Sequence, residues 1–344
     1  MTRDDDQSVL IPLFASAVKA ADPLAALAAN LPERPPGRTV VIGAGKGAAQ
    51  MAAAFEQLWD GPLEGVVVTR YGYAAPCRTI RVLEAAHPVP DPAGLAATEA
   101  LVSAVAGLGP DDLVVALVCG GGSALLPAPP RGLTLEDEIA LNRALLASGA
   151  PISAMNAIRK QVSRIKGGRL AQAAHPARVV SLVVSDVPGD DPAQVASGPT
   201  VPDAVDRAAA RALVAAYGIA LPEAIRRHLD TAPEDAPRPD DPAFARDEVR
   251  VIASSALSLE AAARTAAEAG VPAVILSDAI EGEAKDVGLV HAAIAAEVRL
   301  RDRPFARPVV ILSGGETTVT ITGEAVSYTH LTLPTKEDEC RSRW

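Results

Sequence analysis

The chain has 344 residues, 49% hydrophobic, 22% charged and only 3% aromatic, with a formal net charge of −10. That length suits one large α/β domain or two ordinary ones. So few rings argue against base-stacking platforms, and the acidic balance argues against a nucleic-acid partner. Cys77, Cys119 and Cys340 show neither metal spacing nor a disulfide framework, which points to a reducing, cytoplasmic setting. No apolar run long enough for a signal peptide or a membrane span follows the Met-Thr-Arg-Asp-Asp-Asp start, so no membrane partner is expected.

In chain order, residues 9–30 read as a helix. Residues 38–44 read as a strand, 48–59 as a helix, 65–70 and 79–86 as strands, and 95–108 as a helix. A continuous apolar strand follows at 112–119, then a helix at 135–148 and a basic helix around 156–166. Residues 178–185 form another buried strand. Helices at 206–217 and 222–229 precede a Pro- and Asp-rich stretch, 231–247, that is a linker or a surface excursion. Strands at 249–254 and 271–276 flank a helix at 257–269. A helix at 280–297, a strand at 307–312 and the beginning of another at 318–321 complete the pattern. Apolar strands separated by helices indicate an α/β fold: a Rossmann-like three-layer domain with a mostly parallel sheet.

The basic stretch stands out. No Asp or Glu occurs from Ile139 through Ser185, whereas Arg143, Arg159, Lys160, Arg164, Lys166, Arg169 and Arg178 do. On a helical wheel Met155, Ile158, Val162 and Ile165 share one face, and Asn156, Arg159, Lys160 and Ser163 the opposite one. Lys166 sits at its edge, and Gly167-Gly168 then ends the helix. Such a face either awaits an anionic ligand or meets acids folded in from elsewhere.

Glycine-bearing loops follow several strands. Gly43-Ala-Gly-Lys-Gly47 closes a strand and opens a helix, where free N–H groups and the helix dipole favour an anion. It is neither G-x-G-x-x-G nor a complete Walker A pattern, but it contains Lys46, one of only six lysines. A compact cation there can follow a phosphoryl group in transfer. Gly120, Gly121, Gly122 and Ser123 can form a second anion nest. Cys119 before them reads as a small core residue. Asp186, Asp190 and Glu316 follow strands and suit magnesium, which takes a few carboxylates plus phosphate oxygens, though each could instead cap a helix. Ligand residues at the carboxyl ends of strands are the rule for such sheets. His87, His175, His228 and His291 form no clustered metal set.

Together these stretches resemble the glycerate 2-kinases of the MOFRL (DUF4147) type, some of which carry the name hydroxypyruvate reductase. The resemblance rests on Val41–Gly47, His87-Pro-Val-Pro-Asp91, Gly120–Leu126, Leu133–Asp137, Asn156-Ala-Ile-Arg-Lys160, Val162–Leu170, Ser185–Asp190, Ala196–Thr200 and Ser313–Val319. It implies transfer of the γ-phosphoryl of ATP, with magnesium, to the 2-hydroxyl of D-glycerate. The site would lie in a cleft between an α/β domain and a C-terminal MOFRL domain. Lys46 matches the lysine of the reaction centre. Arg159 and Lys160 are candidates for the substrate carboxylate or for phosphate. Gly43, Gly45, Gly47, Gly120 to Ser123, Asn156, Lys166, Ser197, Gly198, Thr200, Gly314, Gly315 and Thr317 fall in matching stretches as substrate- or phosphate-binding positions. Asp186, Asp190 and Glu316 are the magnesium candidates.

Two departures stand against the family pattern. Cys119 replaces its usual serine. Its Gly/Arg-rich C-terminal segment, with an arginine implicated in catalysis, has no match. The expected division is therefore a large domain at 1–306, the start of a truncated MOFRL domain at 307–326, and a tail at 327–344 that reads like translated adapter sequence. A chain so cut would have weak or absent kinase activity. An NAD(P)H-dependent reductase lacks its fingerprint here, and a non-catalytic small-molecule-binding fold is the third reading. A homodimer is left open.

Overall fold

A computed structural model of the protein describes residues 3–319. Six strands form its main sheet: β1 (Thr39–Ala44), β2 (Glu64–Arg70), β3 (Ile80–Ala85), β4 (Leu113–Cys119), β5 (Arg178–Val184) and β6 (Glu248–Ala253). Their order is β3-β2-β1-β4-β5-β6, and every neighbouring pair is parallel. Every residue of β1 and β4 is buried, as continuous apolar runs in a sheet covered on both faces require. The helices are α1 (Arg3–Ala20), α2 (Pro23–Ala28), α3 (Ala48–Leu58), α4 (Pro92–Val105), the single turn α5 (Gly122–Leu125), α6 (Leu135–Ala147), α7 (Ile152–Gln161), α8 (Arg169–Ala174), α9 (Arg207–Ala216), α10 (Glu223–Thr231), α11 (Ser255–Glu268) and α12 (Ala284–Arg301).

Strand side chains alternate between two cores. Val40, Ile42 and Val114 pack with Leu101 and Val105 of α4 and Leu170 of α8. Val41, Val115 and Leu117 pack with Met51 and Phe55 of α3 and Leu27 of α2. A third core joins α6, α7, α9 and α10 through Leu141, Leu145, Ile158, Ala210 and Leu229. The three-layer, parallel α/β arrangement expected from the sequence is thus the one found. The strand order places β1 beside β4, the point from which the chain winds off in both directions. Such a switch point opens a crevice beyond the carboxyl ends of its strands.

Several boundaries differ from expectation. The helix expected over 9–30 is two helices, because Asp22 caps α2 through the Ala25 N–H and Pro23 starts it. The basic stretch is not one helix. α7 stops at Gln161, the Ser163 hydroxyl accepts from the N–H groups of Ile165 and Lys166, and Gly167 and Gly168, at φ +66° and +84°, lead into α8. The first residues of the helix expected at 280–297 are β8 (Ile280–Glu283). The stretch 231–247 is a packed excursion: Ala236 is buried and its N–H donates to Gln161 Oε1.

β7 (Ala273–Ile275) pairs with β9 (Val310–Leu312), and β8 with β10 (Gly315–Thr318), outside the six-stranded sheet. This pairing begins well before the boundary expected at 306. The strand expected at 318–321 meets the described residues only at its first two positions, where Thr318 ends β10, and the tail at 327–344 and Cys340 lie wholly outside them. Among the described residues no helix is long and apolar enough to cross a membrane.

Candidate active site

The turn after β1 presents Lys46. Gly45 has φ +139°, and a Cβ there would stand 2.3 Å from Cys119 Sγ, so only glycine lets β1 pass β4 this closely. The expected anion nest is not formed by this turn. Gly45 N–H donates to Val68 O (3.2 Å), Lys46 N–H to Gly120 O (2.9 Å) and Gly47 N–H to Cys119 Sγ (3.2 Å). Its amides tie the turn to β2 and β4 and leave the Lys46 side chain to do the presenting. Burial pushes the Cys119 thiol up to about 12, so it acts as a packed hydrogen-bond acceptor and not as a nucleophile.

Lys46 Nζ lies 3.8 Å from Asp186 Oδ2, and both side chains are about one-third exposed, at 38% and 35%. Gly120 leaves room for the Asp186 carboxylate in this position: a Cβ there would fall 1.7 Å from that same oxygen. Gly121 has φ +83°, and its missing Cβ marks where Lys46 Cγ (2.9 Å) and His87 Nε2 (3.0 Å) converge. Lys46, Asp186, Asp190 and Glu316 line a cavity of about 280 Å³, with Ser255 and Asp278 beyond them. Protein packed against Glu316 lifts its carboxyl above the usual range; Lys46 pulls it down, and Asp186 and Glu281 push it up.

A second cavity of about 350 Å³ adjoins the first and shares Asp186, Val187, Pro188 and Glu316 with it. Its walls hold Gly121, Ser123, Asn156, Arg159, Ser197 and Thr317. A hydrogen-bond chain organises them. Ser123 Oγ lies 2.9 Å from Ser197 Oγ, Ser197 Oγ donates to Asn156 Oδ1 (3.1 Å), and Arg159 Nη1 donates to the same oxygen (3.1 Å). Ala196 and Ser197 hold positive φ, +52° and +61°, a local strain of the kind that gathers at functional sites.

A family model described as a domain of unknown function, DUF4147, matches residues 9–230. A D-glycerate 2-kinase of Thermotoga maritima is 35% identical over 323 residues, 93% of this chain and 76% of the relative. The chain belongs to this family, that of the glycerate 2-kinases. A protein of Agrobacterium vitis named putative hydroxypyruvate reductase is 54% identical over 316 residues, 92% of this chain and 71% of its own length. The crystal structure of the Thermotoga maritima glycerate kinase is similar with a TM-score of 0.80 at 33% identity, covering 94% of this chain and 77% of that one. The family inferred from the motifs is the family found.

Within this glycerate 2-kinase family chain, other residues expected at the site lie elsewhere. Lys160 is 1% exposed and ion-paired to Asp203. Burial lowers the Lys160 ammonium, and the Asp203 carboxylate raises it. Lys166 is 2% exposed, with Nζ 2.6 Å from Glu138 Oε1. Arg164 meets Glu99 at 2.6 Å. For these three the acids come from outside the acid-free stretch, so they answer internal partners. Thr200 is buried beneath β5, 2.7 Å from Ser181 Oγ. Gly198 and Ser197 accept through their carbonyls from Gly168 N–H (2.7 Å) and Gly167 N–H (3.0 Å). Gly43 is a close-packing position against Leu117 O, and Gly314 one against Ser255 Oγ. Gly315 lies in the first cavity wall.

Four residues not among the expected site positions also reach the cleft: His87, Ser255, Asp278 and Glu281. His87 reaches Lys46 because β3 and β1 end on the same rim. Burial lowers its imidazole, and Lys46 and Arg70 lower it further. Its place in the matching stretch His87-Pro-Val-Pro-Asp91 is the signal for it in the sequence. Ser255, Asp278 and Glu281 belong to elements whose pairing is visible only in three dimensions. Among the described residues no three His, Cys, Asp or Glu side chains stand close enough together to hold a metal ion unaided. Asp186 and Glu316 nevertheless supply oxygen donors beside Lys46, a set suited to an ion that takes one or two carboxylates and completes its shell with phosphate oxygens.

Proposed function

We propose that this protein transfers the γ-phosphoryl group of ATP to the 2-hydroxyl of D-glycerate, giving 2-phosphoglycerate and ADP. One observation carries the reading: Lys46 and Arg159 open on adjoining cavities that share Asp186 and Glu316. A cation for a phosphoryl group and a cation for a carboxylate therefore face one continuous cleft. The relatives named glycerate kinase support the same assignment.

In this reading Arg159 takes the glycerate carboxylate bidentately, and the Ser123–Ser197–Asn156 chain offers hydrogen bonds to its hydroxyls. Lys46 neutralises charge that develops on the phosphoryl oxygens as the bond to the leaving ADP oxygen breaks and the bond to the 2-oxygen forms. The hydroxyl proton leaves toward the cleft carboxylates or water. Asp186 and Glu316, with Asp190 nearby, would hold magnesium, which when bound neutralises the β- and γ-phosphate oxygens. β8 and β10 supply the far wall of the cleft through Glu281 and Gly315 to Thr318, and we read β7 to β10 as the opening of the second, MOFRL-type unit.

The strand order is also that of dinucleotide-binding sheets, and one relative carries a reductase name. Against that reading, the turn after β1 lacks the dinucleotide spacing and its amides donate within the protein. Incubation with ATP, magnesium and D-glycerate, followed by ³¹P NMR, is expected to show a secondary phosphomonoester. NADH oxidation by hydroxypyruvate without that product would overturn the proposal, as would the absence of saturable D-glycerate binding in calorimetry.

A further inference from the structure

We propose that Asn142 is a positioning residue that makes the cleft selective for carboxylates, because it aims Arg159 without neutralising it. The proposal rests on the reading of Arg159 as the carboxylate partner. Arg159 Nε donates to Asn142 Oδ1 at 2.7 Å, across from α7 to α6, and Nη1 donates to Asn156 Oδ1 at 3.1 Å. Two amide oxygens thus fix the guanidinium plane on adjacent edges. Asn156 is itself fixed. Its Nδ2 donates to Gln194 O and Oε1, both at 3.2 Å, and its Oδ1 also accepts from Ser197, so its partners dictate which way the amide faces.

Neither holder carries charge. Among the described residues Arg159 has no carboxylate within ion-pair distance, in contrast to Lys160, Arg164 and Lys166 on the same stretch. Burial lowers the Arg159 guanidinium, and the carboxylate that raises it is Glu138. Glu138 is already committed: Oε1 meets Lys166 Nζ at 2.6 Å, and Oε2 accepts from Ala128 N–H at 3.0 Å. The other charged groups around Arg159 are the Lys160–Asp203 pair beside it and Glu281 and Glu316 across the cavity.

A half-buried cation without a counter-charge is costly, and a bound carboxylate removes that cost. Guanidinium has five N–H groups. Asn142 and Asn156 take two, on Nε and Nη1, which leaves one N–H on Nη1 and both on Nη2 for a carboxylate. An aspartate in place of Asn142 would fit the same space and would satisfy the cation internally, so the ligand's advantage would vanish. The amide therefore does what a carboxylate cannot: it orients the guanidinium and leaves its charge to the substrate.

The test uses the full chain, calorimetric titration with D-glycerate, and glycerol as the comparator that lacks the carboxylate. Wild type is expected to bind D-glycerate and to ignore glycerol. Asn142→Asp is expected to weaken D-glycerate binding at least about 30-fold, at pH 8 and at pH 5 alike, because a carboxylate paired with the guanidinium stays ionised at both. Asn142→Ala, which frees one edge of the guanidinium, should weaken it about five- to tenfold at both pH values. D-glycerate affinity in Asn142→Asp equal to wild type, or no weaker than in Asn142→Ala, would overturn the proposal. Equal affinity of wild type for D-glycerate and glycerol would instead remove the carboxylate reading of Arg159 on which it stands.

Discussion

Lys166 Nζ sits 2.6 Å from Glu138 Oε1, and both side chains are almost wholly excluded from solvent, at 2% and 4% exposure. Glu138 also holds the Ala128 N–H, so one carboxylate secures both the basic stretch and the chain after α5. Removing either partner leaves the other charged, buried and unpaired. Lys166→Ala and Glu138→Ala are each expected to lower unfolding stability by about 3–5 kcal/mol, and replacing both by apolar residues of similar size should cost much less. Urea unfolding decides this; single variants within about 1 kcal/mol of wild type would contradict the structural role.

Lys46 and Gly120 should behave in the opposite way. Lys46 is 38% exposed, so Lys46→Ala should leave the melting temperature nearly unchanged. Phosphoryl transfer should nonetheless fall by roughly 10²–10³, the usual effect of losing one charge-stabilising group. Gly120→Ala drives a methyl group into Asp186 Oδ2, the far end of a partly exposed side chain that can swing away. Its expected signature is weaker MgATP binding, about tenfold or more, with little loss of stability. Unchanged MgATP affinity in Gly120→Ala would argue that Asp186 has no part in it.

Glu56 governs acid stability. Burial alone would lift its carboxyl, but the N–H groups of Arg78, Ile80 and Thr79 and the Thr79 hydroxyl hold it at about 2, against 4.5 for an ordinary glutamate. A carboxyl depressed in the folded state contributes stability that is complete above about pH 4.5 and lost as pH falls toward 2. Glu56→Gln should cost about 3 kcal/mol at pH 7 and flatten the acid limb of the stability curve between those values. A variant whose acid limb keeps the wild-type slope would count against this.

Asp247 works with the reverse sign. Burial pushes its carboxyl up to about 6, although the Val179 N–H and the nearby His175 and Arg246 pull it down, and its Oδ2 is buried without a hydrogen-bond partner. A raised carboxyl favours the fold below its ordinary value of 3.8 and loses that contribution as pH climbs through 6. Asp247→Asn keeps the acceptor for Val179 and removes the charge. It should gain about 1–2 kcal/mol at pH 7.5 and nothing at pH 3.5. Thermal melts at both pH values check the crossover, and a loss at pH 7.5 would refute it.

The sheet was legible because β1 and β4 are continuous apolar runs and β5 is one but for Ser181. The end of α7 was not. The apolar spacing continues through Val162 and Ile165, yet the amides of Gly167 and Gly168 go to Ser197 and Gly198, some thirty residues on, which no local window contains. The pairing of the basic stretch was hidden for the same reason. Lys166 meets Glu138, the last acid before the gap, and Lys160 meets Asp203, which lies beyond the next strand. Lys46 could be singled out because lysine is scarce here. Asn142 could not, because an amide that orients a guanidinium leaves no mark in composition or charge.

The stitching of Gly167 and Gly168 to Ser197 and Gly198 has a practical bearing on genetics. Two sequence signatures that look like separate ligand contacts form one truss, so a lesion in either disturbs the other. A selection scored by growth alone would place the truss and the cleft in one phenotypic class. Scoring the amount of folded protein beside turnover per molecule would separate architecture from chemistry in this chain.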